Sequence, residues 1–211
     1  MTARGDDAMA RRRLYRVGAL LLAAVVGCRY EPYPQVPTPD LGAGPDAPKQ
    51  AEPGKVAPWQ RFGYTIQPLA AYDVVARVLS TSHYRLGREA ELSPVDLALG
   101  WGPMADAGVR HKLSVSQGNR WYTYTWSGSP PLDPSVIRTC SANTHIIPGS
   151  ADVDELVRGM ASGDRVRLRG YLVHVGAADG WRWRSSLSRN DTGGGACELM
   201  WVTSVEVLDD G

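Results

Sequence analysis

Hydrophobic positions along the chain fall into three regimes. Between Val17 and Cys28 they run continuously behind Arg11, Arg12, Arg13 and Arg16. Over residues 29–59 they nearly vanish among eight prolines. From Phe62 onward they return in short runs alternating with polar residues, the period of two expected of half-buried strands.

In the third regime, residues 72–80 are β-branched and read as a strand. Ser93, Pro94 and Asp96 carry the marks of a short helix start, with Ser as N-cap and Pro at the first helical position, and Gly100 would end that helix. Residues 112–117 and 120–126 flank Gly118-Asn119 and read as a β-hairpin. Residues 136–147 read as one extended run stopped by Pro148. The clearest helix lies over 150–162, where Val153, Leu156, Val157 and Met160 share a face and Asp152, Asp154 and Glu155 fill the first turn. Strands follow over 165–175, 181–189 and 196–208. Alternation in the last places Cys197, Leu199, Trp201, Val205 and Val207 on a buried side, with Glu198, Ser204 and Glu206 on a wet one. The expectation is an α+β fold of mostly antiparallel β-sheet with one packed amphipathic helix, an arrangement that resembles an OB-like, partly open barrel.

The first regime has the charged and apolar regions of a secretory signal and is shorter than the roughly 20 residues of a membrane-spanning helix. Residues 1–8, with Asp6 and Asp7, look unlike a signal, and translation from Met9 would give one of ordinary length. The run ends in Val25-Val26-Gly27-Cys28, which resembles the lipobox of bacterial lipoproteins. That resemblance implies a diacylglycerol on Cys28 and a mature chain beginning there. The organisation expected is a signal peptide over 1–28, a Pro-rich tether over 29–60 and a single folded domain over 61–211. The tether, extended at about 3.1 Å per residue, would hold the domain off the bilayer. The localisation implied is the cell envelope, anchored by lipid and facing the periplasm or the exterior, with inner and outer membrane both open.

Composition narrows the partners. A net charge of +1 on 211 residues gives no strong positive field, so no nucleic-acid partner is expected. Seven Trp and nine Tyr against a single Phe suit a β-rich domain with half-wet aromatic surfaces. Arg182 and Arg184 alternate with Trp181 and Trp183, a candidate binding face for a protein or polymer. Arg165, Arg167 and Arg169 form a similar series, but acids outnumber arginines over 151–211, so pairing with neighbouring acids is the stronger reading there.

Asp191-Thr192-Gly193 spells the aspartic-protease triplet without the apolar strand or the second copy such a site needs. His145 is the histidine to test, as partner of Ser93 or Cys140 in a surface hydrolase. The four histidines lack metal-ligand spacing, and no cofactor motif is present. With Cys28 lipidated, Cys140 and Cys197 are the remaining thiols, and export makes a disulfide between them the default. The segments 92–104, 143–148 and 180–198 resemble a group of uncharacterised bacterial proteins, exported or membrane-anchored, and this implies one folded unit but no chemistry. The leading expectation is a non-enzymatic binding module, with the hydrolase as the alternative.

Overall fold

A computed structural model describes residues 31–191 and 195–209. The signal, Cys28 and the Thr192-Gly193 part of the Asp-Thr-Gly triplet lie outside the described residues. The elements are β1 (Lys49–Ala51), β2 (Trp59–Arg61), β3 (Tyr64–His83), α1 (Arg88–Leu92), β4 (Val95–Gly100), a 3₁₀ turn (Gly102–Ala105), α2 (Ala107–Arg110), β5 (Ser114–Gly118), β6 (Trp121–Thr125), α3 (Pro134–Thr139), β7 (Ser141–Pro148), α4 (Ala151–Gly159), β8 (Arg165–Gly176), β9 (Arg182–Arg184) and β10 (Glu198–Leu208).

Five strands close a ring in the order β3-β4-β7-β10-β8, and β8 returns to pair with β3. Only β7 and β10 run parallel in this ring. The long β3 can serve two neighbours because it bends at register shifts between Pro68 and Ala70 and between Val78 and Ser80. Gly170 lets β8 cross close to β10, since a Cβ there would stand 1.9 Å from the Trp201 carbonyl oxygen. The fold is α+β and OB-like: an irregular, partly open barrel with α4 inserted between β7 and β8.

Apolar side chains of alternating register fill the barrel, among them Val74, Leu97, Leu99, Ile146, Leu168 and Met200. α4 packs into the same cluster through Val153 and Val157, joined by Met160 at its C-cap, with the Ser150 side chain accepting the Val153 N–H at 3.2 Å as the N-cap. Leu156 belongs to the periodic face but is 43% exposed.

Three local expectations are corrected. Residues 95–100 form a strand, not a helix, because Val95, Leu97 and Leu99 alternate into the barrel, and Ser93 instead ends α1. Residues 136–147 split into α3 and β7, because Asp133 caps α3 with Pro134 next to it and accepts the Ser135 N–H at 2.7 Å. In β10 a register shift between Val202 and Ser204 turns Val205 toward the barrel, while Leu199 and Trp201 belong to an outer layer.

The Pro-rich segment is not a free spacer. From Glu31 it belongs to the compact unit and runs across the barrel as a strap. Leu41 and Ala43 donate backbone N–H groups to Asp73, Tyr171 Oη donates to the Pro37 carbonyl at 2.9 Å, and β1 pairs with β3. Val36, Leu41 and Val56 pack on an outer layer that includes Trp59, Tyr171 and Trp201. The prolines fit this role because an extended strand at the surface needs few N–H groups of its own. Among the described residues no helix is long and apolar enough to cross a membrane.

Candidate functional site

The outer face of β4 and β7 carries polar groups that the ring alone would leave in solvent. Register sets Asp96 opposite His145 and Ala98 opposite Asn143. All four are buried, Asp96, Ala98 and Asn143 under the β5–β6 hairpin and His145 against the Trp183 ring of β9. The hairpin turns at Asn119-Arg120, with φ of 50° and 67°, one residue later than the expected Gly118-Asn119. Two left-handed residues in a two-residue turn match the right-handed twist of the flanking strands.

That turn delivers Arg120 to the covered face. Its Nη1 bonds Asp96 Oδ1 at 2.7 Å, and its guanidinium packs 3.7 Å from the centre of the Tyr84 ring. Asn143 donates to the Arg120 carbonyl at 3.0 Å and accepts from Gln117 at 2.7 Å, and Tyr122 Oη meets Ser141 Oγ at 3.0 Å. These bonds pin the hairpin to the barrel. Burial pushes the Tyr122 hydroxyl up to about 12.

His145 sits inside this polar layer, 3% exposed and packed on the Trp183 ring at 4.9 Å. Its Nδ1 stands 3.0 Å from Asp96 Oδ1 but without the alignment of a hydrogen bond. Ser93 Oγ lies 3.5 Å from the same carboxylate oxygen and is wholly buried. A nucleophilic relay needs the histidine between serine and acid, whereas here the acid is central. Cys140 ends α3 five residues before His145, roughly 16 Å along β7. The residues named for a hydrolase are therefore not assembled as one.

An open cleft adjoins the covered face. It measures about 230 Å³ and lies between the hairpin and the segments 185–191 and 195–198. Trp121, Tyr124 and Arg138 line it on one side, Arg189 on the other, and Asn143 and Glu198 come from the barrel strands. These two segments are held in place: Ser185 accepts the Leu199 N–H at 3.0 Å, the Ser186 N–H bonds the Cys197 carbonyl at 3.0 Å, and Ser186 Oγ donates to Asp191 at 2.5 Å.

Glu198 is 1% exposed and ion-paired to Arg189, whose Nη1 also donates to Tyr72 Oη at 3.0 Å. Glu198 Oε2 and Arg189 Nη2 have no hydrogen-bond partner among the described residues. Burial outweighs the attraction of Arg189 and lifts the Glu198 carboxyl to about 7. The neighbouring Cys197 thiol is pushed up to about 12, first by burial and then by the Glu198 charge.

Trp181 and Trp183 are half-buried against the outer apolar layer, Trp181 at 5.6 Å from the Tyr64 ring, while Arg182 and Arg184 between and beyond them are exposed. Two arginines of the β8 series are paired with acids, Arg167 with Asp73 and Asp40 and Arg169 with Asp40 and Glu206, while Arg165 donates to the Asp209 carbonyl at 3.2 Å. The Cys140–Cys197 disulfide is corrected, because both thiols are free. Parallel pairing sets Glu198 beside Thr144, so Cys197 stands at the level of Asn143, three residues or about 10 Å beyond Cys140. A bridge requires Cα atoms within about 7 Å. Among the described residues no His, Cys, Asp and Glu group could hold a metal ion.

Glu198, Arg189, Arg120 and Asp96 were missed as site residues in the sequence. Asp96 carried a signal, a lone acid inside the apolar run 95–99. Glu198 carried the opposite one, since alternation assigned it to solvent.

Comparison with protein-family models, with curated proteins and with solved structures finds no match to this chain.

Proposed function

We propose that this chain is a lipid-anchored protein of the cell envelope that binds a protein or polymer partner without transforming it. The binding site in this reading is the cleft between the hairpin and the segments 185–191 and 195–198. One observation carries it: the cleft is open and aromatic-sided, with Trp121 42% exposed, and holds a buried carboxylate and a partly buried guanidinium, each with one polar atom that has no partner among the described residues. Convergent polar groups in a concave, partly apolar site are the usual makings of a binding pocket. The envelope location rests on the arginine-headed apolar run and the lipobox-like ending at Cys28. The Trp181/Trp183 strand serves this reading as support, since its aromatic rings pack inward.

Affinity purification from envelope extract tests the assignment. Trp121→Ala and Glu198→Gln are each expected to remove a partner that the unaltered protein retains, with the folded state preserved by circular dichroism. Retention of that partner by both variants would place binding elsewhere on the surface. Fractionation of a Cys28→Ala variant tests the anchor, with loss from the membrane fraction expected.

A further inference from the structure

The folded unit begins at Glu31, and that point is firmly fastened. Arg61 Nη1 donates to the Glu31 carbonyl at 2.6 Å, and the Glu31 carboxylate accepts the Phe62 N–H at 2.6 Å. The Arg61 guanidinium is nearly buried and packs over the rings of Tyr33 and Phe62, 3.9 and 4.0 Å from their centres. The start of the compact unit is thus set at the β2–β3 turn.

Phe62 is the only phenylalanine in the chain. It occupies that turn with φ of 51°, beside Gly63 at 77°. Two-residue turns of this kind favour Asn or Asp before Gly, and a bulky aromatic is disfavoured in the left-handed region. Despite this, Phe62 keeps 41% of its surface exposed. Stacking on Arg61 covers one side of the ring and leaves the rest unexplained by internal packing.

Distance along the chain supplies the occupant. Cys28 precedes Glu31 by three residues, so their Cα atoms stand at most about 11 Å apart. The polar headgroup layer of a leaflet is about 5–8 Å deep. Because the Pro-rich segment is folded onto the barrel, no long spacer separates a lipid on Cys28 from the domain. We propose that the pole carrying Phe62, Tyr33 and Arg158 rests on the lipid bilayer, with Phe62 seated at the headgroup boundary as a second anchor. This rests on the lipid-anchor reading of Cys28. Aromatic side chains favour that boundary, and a second membrane contact turns a marginal anchor into a stable one.

Environment-sensitive labels test it in the full-length, lipidated protein, in a background of Cys140→Ser and Cys197→Ser. Single label sites are made by Phe62→Cys, Arg158→Cys and Val207→Cys. Arg158 lines the same surface hollow as Tyr33 and Phe62. Val207 is 60% exposed, and its partner Val166 lies ten residues along β8 from Gly176, the partner of Thr65, or about 33 Å of strand. The proteins are placed in vesicles of phosphatidylethanolamine and phosphatidylglycerol containing nitroxide-labelled lipid.

Labels at 62 and 158 are expected to lose most of their emission to the quencher, and the label at 207 to keep it. If the label at 62 lowers the thermal midpoint, the label at 158 decides the matter, because it leaves the turn intact. Lipidated protein whose labels at 62 and 158 stay as bright as that at 207 overturns the proposal while the anchor reading stands. Mass spectrometry showing no lipid on Cys28 overturns both.

Discussion

Asp73 on β3 and Glu198 on β10 are both buried carboxylates, and each meets an arginine from another element. Around Asp73 every site is taken: Arg167 donates at 3.0 and 2.8 Å, and the strap donates the Leu41 and Ala43 N–H groups at 3.1 and 3.2 Å. Burial alone would raise its carboxyl, but Arg167 and the two N–H groups outweigh burial and hold it below the ordinary value. Around Glu198 only one oxygen is engaged, and burial prevails. The strap closes the first site, whereas the second faces a cleft. The difference separates a carboxylate whose bonds hold the strap from one whose second oxygen has no partner among the described residues beside a cleft.

Breaking the closed site should have the larger effect. Asp73→Ala leaves Arg167 without its main partner and frees two strap N–H groups, which should cost about 3–5 kcal/mol of stability in urea denaturation. The same variant should be cut by trypsin faster at Lys49 and Lys55, since both lie in the released strap. An unchanged midpoint and unchanged cleavage would show that the strap is held by its apolar contacts alone.

Glu198 should show itself through pH. Its folded carboxyl at about 7 lies above the ordinary value of 4.5, so the folded state binds the proton more tightly than the unfolded chain does. The contribution is therefore complete below about pH 4.5 and is lost as pH rises through about 7, by roughly 3 kcal/mol in all. Asp73 slopes the other way: its lowered value makes its contribution complete above the ordinary carboxyl range and lost as pH falls through its folded value. The difference in stability between the unaltered protein and Glu198→Gln, measured at pH 5 and pH 8, isolates Glu198 from other groups such as His174. Equal differences at both values would mean that Glu198 ionises normally and that Arg189, not burial, governs it.

This contrast also marks what the sequence could disclose. α4 was legible because its cap, acidic first turn and apolar spacing are all local, and β8 because Val166 and Leu168 alternate with charged residues over a long run. The α+β class followed from such segments. Glu198 was illegible because β10 is covered on both faces, so alternation no longer tells inside from out; only its pairing with β7 does. Its partner Arg189 comes from an irregular loop with no periodicity to read. The strap was misread for a related reason, since proline-rich composition describes a chain that forms no core of its own and is silent about a surface prepared to receive it.

The smallest expected effect is that of reductant. Export would place Cys140 and Cys197 where disulfides persist, but the parallel register of β7 and β10 keeps them three residues out of step. Joining them would require sliding one strand against the other, and that would turn Glu198 and Met200 off the barrel face they occupy. The two thiols should therefore remain free even in protein secreted to an oxidising compartment, and Cys197, raised to about 12, holds almost no thiolate at neutral pH to start an exchange. Alkylation of the denatured, unreduced protein should find Cys140 and Cys197 both reactive, and alkylation of the folded protein should be slow at Cys197. Its denaturation midpoint should be the same with and without reductant. A bridge would instead contribute about 2–5 kcal/mol that reductant removes, and a midpoint that falls by that measure would show the β7–β10 register to be wrong at its N-terminal end, along with the cleft built on it.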